Sequence, residues 1–165
     1  NGTVFEGRID HQKDIDALGL RSVDGLRVLD IATNDGFFAF WAEQHGAKEV
    51  VAIDVGNYRD YDWGFDGPKE KWIEGLDEQN KWEHFDFHHQ NLKSNVVKLE
   101  VSVYDIEKLG SFDVVFNYGL LYLGLVAFLA MMIAAEAGAR VTIAGRTQDK
   151  LKEKQGVVVR GTKNW

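Results

Sequence analysis

Short runs of valine, isoleucine and leucine alternate with helix-like segments along most of the chain. Continuous apolar runs predict strands buried on both faces, and their alternation with helices is typical of a parallel sheet. We therefore expect an α/β fold, a single Rossmann-like, doubly wound and mostly parallel sheet of five to six strands with helices on both faces. The predicted strands cover residues 26–32, 49–54, 95–103, 112–117, 139–144 and 157–160.

Helical segments are predicted between these strands. The first covers residues 37–45 and ends at Gly46, and a polar helical region runs from Pro68 to about Asn91. Residues 120–137 predict an apolar helix and residues 148–154 a charged one. Because residues 120–135 are apolar on nearly every side, we expect this helix either to be fully buried or to form a homo-oligomer interface.

One apolar segment is long enough to be considered as a membrane span. Residues 114–135 contain no charged side chain, and a segment of this length is sufficient to span a bilayer. Asn117, Tyr118 and Gly119 interrupt this run with turn-forming residues, so a buried strand, a turn and a buried helix explain it better than one continuous helix. We therefore expect no membrane association.

Composition removes several classes of chemistry. The chain has no cysteine, which excludes disulfides, thiolate metal sites and cysteine nucleophiles, and which is compatible with a cytoplasmic location. The net charge of −7 is uneven, because residues 140–165 carry seven basic and two acidic side chains. The acidic remainder argues against a broad nucleic-acid interface, although the basic C-terminal segment could bind an anionic group locally.

Ligands bind to doubly wound sheets at the carboxyl ends of the strands, so the residues there are the candidate site. The first predicted strand leads into a turn that contains Asp30, Ala32, Asn34 and Gly36. A glycine-rich turn at this place lets a ligand approach the backbone and the following helix N-terminus, although here only the last of the three alternating positions is glycine. A plain strand-to-helix turn is the alternative interpretation.

Other strand ends carry polar or aromatic residues as well. Asp54 ends the second strand and is followed by Val55, and a carboxylate there can accept hydrogen bonds from a ribose diol. Tyr104 and Asp105 are predicted at the end of the third strand, where a carboxylate could accept from an adenine amino group. Asn117 ends the fourth strand in a polar and aromatic turn. Together these ends predict one crevice that binds a nucleoside-containing cofactor.

Three segments resemble motifs of class I S-adenosylmethionine-dependent methyltransferases. They are residues 27–55, residues 102–106 (SVYDI) and residues 112–122 (FDVVFNYGLLY), in the family's order. The resemblance covers about residues 1–122 and is nearest to the tRNA wobble-uridine branch. It implies S-adenosylmethionine as the cofactor, with Asp30 and the turn through Gly36 facing its methionine part, Asp54 holding the ribose and Asp105 the adenine amine.

The rest of the chain departs from that family. Residues 123–126 stand where the branch has His and Pro, and residues 134–151 look like the second-strand region of NADP-dependent short-chain dehydrogenases, with Arg146 at the position that would meet a 2′-phosphate. The glycine turn and the Tyr-x-x-x-Lys pair of those dehydrogenases are missing. We therefore expect a truncated, recombined or designed chain, shortened at the C-terminal end of the methyltransferase-like domain.

Three functions remain open at this stage. The first is methyl transfer to an unidentified acceptor, a small molecule or an RNA nucleoside. The second is a Rossmann-like module without turnover, and the third is an NADP-binding oxidoreductase fragment. If the chain is active, Tyr118, Tyr122 and Asp35 are the candidate acid–base residues. His84 and His88 lie four residues apart, but this spacing is better explained by a solvated helix face than by a metal site, so no metal is expected.

Overall fold

The computed structural model describes residues 11–12, 15–16, 22–61, 80–118 and 140–142. The elements are β1 (Arg27–Ile31), α1 (Phe37–Gln44), β2 (Glu49–Asp54), α2 (Glu83–Leu92), β3 (Val97–Glu100), β4 (Val114–Phe116) and β5 (Arg140–Thr142), with 3₁₀ helices at Tyr58–Asp60 and Val103–Leu109. The five strands pair in parallel and form one sheet of order β3-β2-β1-β4-β5. The predicted α/β class with a parallel sheet is confirmed. Residues 157–160 lie outside the described residues, so the full number of strands stays a prediction.

The strand order defines where a ligand would bind. Asp30 of β1 pairs in register with Ala52 of β2 on one side and with Phe116 of β4 on the other. The chain adds β2 and β3 on one side of β1 and then returns to add β4 and β5 on the other side. In open α/β sheets, ligands bind at such a reversal, outside the carboxyl ends of the two strands. The gap between the ends of β1 and β4 is therefore the switch point of this sheet.

Apolar side chains alternate between the two faces of the sheet. Val28 packs with α1 and α2 on one face, where the rings of Phe40 and Phe85 lie 4.9 Å apart. Leu29 packs on the opposite face with Ile106 of the second 3₁₀ helix. Among the described residues, both α-helices therefore cover one face and a 3₁₀ helix covers the other. The predicted helices at residues 120–137 and 148–154 lie outside the described residues.

α1 begins at a glycine and is capped from the sheet. Gly36 has a φ of 87° and offers no side chain, and a Cβ there would lie 2.4 Å from Phe40 Cε2. The carboxyl group of Asp30 accepts a hydrogen bond from the N–H of Ala39, which replaces the missing cap on the first turn. The helix ends one residue before its predicted end, and Gly46, with a φ of 85°, turns the chain toward β2.

The third strand differs most from its prediction. β3 covers only Val97–Glu100, whereas the apolar run predicts residues 95–103. The Ser102 hydroxyl accepts the N–H of Tyr104 at 3.3 Å and begins the 3₁₀ helix that follows. A short hydroxyl side chain offers the backbone a local partner that competes with strand pairing. Tyr104 and Asp105, predicted at the strand end, therefore lie on a helical turn beyond it.

The remaining boundaries agree more closely with the sequence. β2 has its predicted bounds, β1 and β4 each begin after and end before their predicted limits, and β5 lies within the predicted range 139–144. No helix within the described ranges is both long and apolar enough to cross a bilayer. Of the apolar run at residues 114–135, only residues 114–118 are described.

Candidate functional site at the carboxyl edge of the sheet

The turn after β1 has left-handed backbone at every second position. The φ angles are 56° at Ala32, 51° at Asn34 and 87° at Gly36. These are the alternating positions that the sequence singled out, although two of them are not glycine. Asn tolerates this conformation better than most residues, whereas Ala pays about 1 kcal/mol or more for it. The turn is tied to β2 because the N–H of Thr33 donates to the carbonyl of Ile53 at 3.1 Å.

Asp30 lies beneath this turn rather than beside open solvent. Its side chain is buried, its Oδ2 accepts the Thr33 hydroxyl at 2.6 Å, and its carboxyl group also accepts the N–H of Ala39. Burial raises the pKa of Asp30 to about 7, although the hydrogen bond from Thr33 by itself lowers that pKa. The structure thus gives Asp30 a supporting position behind the turn. The contact with the methionine part of a cofactor, which the resemblance implies, stays a prediction.

Asp54 is buried at the end of β2 with its carboxylate fully engaged. Its Oδ2 accepts the N–H of Asn34 at 3.0 Å, and its Oδ1 accepts the N–H of Val55 at 2.9 Å. The Tyr61 hydroxyl forms a third hydrogen bond, and Lys81 Nζ lies 2.6 Å from Oδ2. The sequence predicts that this carboxylate binds a ribose diol, but in this structure the protein itself supplies its partners.

Lys81 is the site residue that sequence reasoning missed. Its side chain is 1% exposed and lies against Asp54, with Nζ 5.5 Å from the ring centroid of Tyr58, 5.2 Å from that of Tyr61 and 5.6 Å from that of Trp82. These four residues around Lys81 are called the Lys81 cage below. The ammonium makes no directed hydrogen bond within the described residues, so its contact with Asp54 is a close ion pair.

Local hydrogen bonds hold the cage residues in place. The Asn57 side chain accepts the N–H groups of Arg59 and Asp60, and so begins the 3₁₀ helix that carries Tyr58. The Asn80 side chain accepts the N–H of Trp82 at 3.1 Å just before α2. Such side-chain turns are predictable from Asn, but their meeting at Asp54 is a tertiary contact that no motif signals.

Burial and the nearby Asp54 carboxylate raise the pKa of the two tyrosines in the cage, Tyr58 and Tyr61, above the ordinary value. Both effects disfavour the ionised phenolate. The two hydroxyls therefore remain protonated at neutral pH. In that form Tyr61 can donate its hydrogen bond to Asp54.

Asn117 follows β4 at the switch point, and its side chain differs from that of Asp54 in its hydrogen bonding. Its side chain is 2% exposed, and neither its Oδ1 nor its Nδ2 has a hydrogen-bond partner among the described residues. The register of β1 and β4 brings it level with Ile31, just before the left-handed turn. A buried amide without partners costs roughly 1–3 kcal/mol and requires an explanation.

Aromatic rings lie beside Asn117. Tyr118 is half-buried, and its ring centroid is 5.0 Å from that of Phe38 and 5.3 Å from that of His11. His11 also contacts Phe37, at 5.1 Å. Sequence reasoning missed His11, because nothing in its neighbourhood along the chain signals that it lies at the switch point.

The other predicted residues are more dispersed. Asp35 Oδ1 accepts the N–H of Phe37 at 3.3 Å in the first turn of α1. Tyr104 is exposed, and Asp105 pairs with Lys108 on the surface, so neither extends β3 as predicted. Tyr122 and Arg146 lie outside the described residues.

An open cavity of about 480 Å³ lies between the ends of β2 and β3. Val55 and Val101 line it with apolar atoms, and Glu100 and Ser102 contribute polar ones. The cavity thus adjoins Asp54, because Val55 follows that residue directly. Elsewhere in the described ranges, no three His, Cys, Asp or Glu side chains converge in a metal-binding group, and His84 and His88 lie on the surface of α2.

No family model matches this sequence, and no curated protein matches it. Solved structures do. A ribosomal protein L11 methylase from Lactobacillus delbrueckii subsp. bulgaricus is similar over 81% of this chain and 59% of its own, with 16% identity and a TM-score of 0.52. A precorrin 8w decarboxylase from Methanobacterium thermoautotrophicum is similar over 90% of this chain and 69% of its own, with 13% identity and a TM-score of 0.58. A protein from Pyrococcus horikoshii OT3 has a TM-score of 0.55 at 14% identity, over 87% of this chain and 58% of its own.

These similarities establish the fold. The chain spans 59% of the length of the methylase, and at 16% identity the two share an architecture. One neighbour is named a decarboxylase, so the fold by itself does not select the reaction. The described part of this chain has the α/β, Rossmann-like fold of class I methyltransferases.

Proposed function

We propose that this chain catalyses methyl transfer from S-adenosylmethionine, bound at the carboxyl ends of β1, β2, β3 and β4. The observation that carries the proposal is the buried side chain of Asn117 at the switch point, which has no hydrogen-bond partner within the described ranges. An amide in this state fits a ligand that supplies its missing hydrogen bonds. An amino-acid moiety has both donors and acceptors, which suits Oδ1 and Nδ2 together.

The residues of the β1 turn fit the same end of the cofactor. Left-handed backbone at Ala32, Asn34 and Gly36 shapes the turn that leads directly into the N-terminus of α1. A helix N-terminus favours a negatively charged group, such as the carboxylate of the methionine part. Asp30 supports this turn from behind through Thr33 and Ala39.

The nucleoside would lie toward β2 and β3. The cavity next to β2 is lined by Val55 and Val101 and by polar residues such as Glu100, which together offer apolar contact and hydrogen-bond acceptors to a nucleoside. The predicted partners of the adenine, Tyr104 and Asp105, belong to the 3₁₀ helix that begins beyond Ser102 at this cavity. Asp54, at the end of β2, remains the proposed ribose residue.

The bound cofactor supplies an electrophilic methyl group: an acceptor lone pair forms the new C–X bond, the C–S bond breaks, and S-adenosylhomocysteine leaves. The protein's contribution is mainly to align the two reactants. An acceptor that loses a proton needs a base, and Tyr118, Asp35 and Tyr122 remain the candidates. The acceptor is proposed as a small molecule or an RNA nucleoside, as in the wobble-uridine branch. Self-association through residues 120–135 also remains a proposal.

Titration calorimetry tests the proposal, with S-adenosylhomocysteine and NADPH as parallel ligands. We expect S-adenosylhomocysteine to bind the wild type, and Asn117→Ala to weaken it about tenfold or more by removing one or two buried hydrogen bonds. Asn91→Ala is the matched control, because the exposed Asn91 side chain bonds only to the Phe87 carbonyl on α2. Binding of NADPH alone would favour the oxidoreductase alternative. A folded protein that binds neither ligand would favour the module without turnover.

A further inference from the structure

Asp54 has no free position for a ribose diol in this structure. A carboxylate offers about four lone-pair positions. Here they meet the N–H of Asn34, the N–H of Val55, the hydroxyl of Tyr61 and the ammonium of Lys81. A diol that donates two hydrogen bonds must therefore displace at least one of these groups.

The four partners differ in how easily they can leave. Asn34 and Val55 bind through backbone N–H groups in the β1 turn and at the end of β2, which are parts of the sheet framework. Tyr61 and Lys81 bind through side chains that reach the sheet from outside it, one beyond the first 3₁₀ helix and one before α2. An incoming diol therefore exchanges with side chains, and the backbone partners stay.

Lys81 is the less well satisfied of the two side chains. Its buried ammonium has three donors, but it makes one ion pair and no directed hydrogen bond within the described residues. The rings of the cage stabilise the charge through their faces, at 5.2 to 5.6 Å. Burying a charge with so few partners is costly, and Asp54 retains three other donors without it.

We propose that Lys81 is an internal competitor for the ribose position of the cofactor site. Its ammonium occupies Asp54 while the cage holds the side chain, and the diol binds only when Lys81 moves away from Asp54 toward solvent. Lys81 thereby sets the affinity of the site for nucleosides that carry free 2′ and 3′ hydroxyls. This inference rests on the proposed function, because it assigns regulation to the same cofactor site.

The test compares Lys81→Met with wild type by titration calorimetry. Methionine keeps an unbranched side chain of similar length among the rings and removes the charge. The ligands are S-adenosylhomocysteine and adenosine, which carry the diol, and 2′,3′-dideoxyadenosine, which lacks it. If Asp54 is open in about one molecule in a hundred, Lys81→Met strengthens binding of the first two about a hundredfold and that of the third less than about twofold.

Lys98→Met is the matched control. Lys98 Nζ lies 4.9 Å from the same Trp82 ring, but it is partly exposed and pairs with Asp86 at 2.6 Å instead of with Asp54. This variant removes the same charge and should leave all three affinities unchanged. Equal gains for adenosine and dideoxyadenosine in Lys81→Met would overturn the inference, as would an unchanged adenosine affinity.

The failures of the two proposals are distinguishable. If wild type binds S-adenosylhomocysteine and Lys81→Met gains nothing, the inference fails and the proposed function stands. If no protein binds any probe, both fail. A second measurement needs no variant: acetylation of wild type, read by mass spectrometry, should modify Lys81 faster when S-adenosylhomocysteine is added and Lys98 at the same rate. An unchanged or lower acetylation rate of Lys81 in the presence of the ligand would contradict its displacement from Asp54.

Discussion

Buried polar side chains lie on both sides of the carboxyl edge of the sheet, and those on the β1–β4 side and the β2 side differ in their hydrogen bonding. Asn117, beyond β4, has no hydrogen-bond partner among the described residues, whereas Asp54, at the end of β2, accepts three hydrogen bonds and forms an ion pair with Lys81. Both side chains are at most a few per cent exposed. Under the proposals above, the β1–β4 side can bind a polar ligand directly, whereas the β2 side must first release one of the partners of Asp54.

The largest effect should come from removing the buried carboxylate of Asp54 at the end of β2. Asp54→Ala leaves the Lys81 ammonium buried without a counter-charge, which we expect to lower the free energy of unfolding by about 3–5 kcal/mol. Urea denaturation measures this loss. The double variant with Lys81→Met should recover at least half of it, because the stranded charge is gone. A loss below about 1 kcal/mol in the single variant would mean that Lys81 escapes easily and that this side is not closed.

The β1–β4 side should respond to pH through Asp30. Its pKa of about 7 in the folded protein lies above the ordinary value of 3.8, so the folded state binds the proton more tightly. The stability from this group is fully present below about pH 4 and is lost as pH rises through about 7, by roughly 2–4 kcal/mol. Denaturation series from pH 4 to 8 should show this decline in wild type, and Asp30→Asn should remove it.

Thr33→Val is the companion variant for Asp30. The Thr33 hydroxyl donates to the carboxylate and so lowers its pKa. Without that bond the pKa rises further, and the midpoint of the decline should move to higher pH. A midpoint that stays in place would show that another group causes the pH dependence.

The smallest effect concerns strain in the β1 turn. Ala32→Gly should raise the free energy of unfolding by about 0.5–1 kcal/mol, because glycine adopts the φ of 56° without steric cost. This relief of strain is larger than the opposing entropy that glycine gains in the unfolded chain. Ala39→Gly, within α1, should have the opposite sign and cost about 1 kcal/mol. Thermal melts of the two variants test the difference. Destabilisation by both would mean that the Ala32 side chain contributes packing that outweighs the strain.

Strand positions and the edge that carries the site could be predicted from local sequence. The bounds of β2 are those predicted, because a continuous apolar run ends abruptly at a charged residue. Asn34 and Gly36 were singled out by spacing and have the left-handed backbone that such a turn needs. β3 was predicted too long, because the apolar pattern continues past Glu100 while the Ser102 hydroxyl turns the backbone into a 3₁₀ helix.

Side-chain patterns over a few neighbouring positions were enough to predict the α/β class, the parallel strands and the positions of Asp54 and Asn117 at strand ends. Which of these polar groups finds hydrogen-bond partners depends on contacts between segments that are distant along the chain. Lys81 reaches Asp54 from a distant segment, and His11 reaches Tyr118 in the same way. Hydrogen bonding and burial depend on which residues are close in space, and the separation of two residues along the chain does not predict whether they are close. The same strand-end position therefore holds an engaged carboxylate on β2 and an unpartnered amide beyond β4.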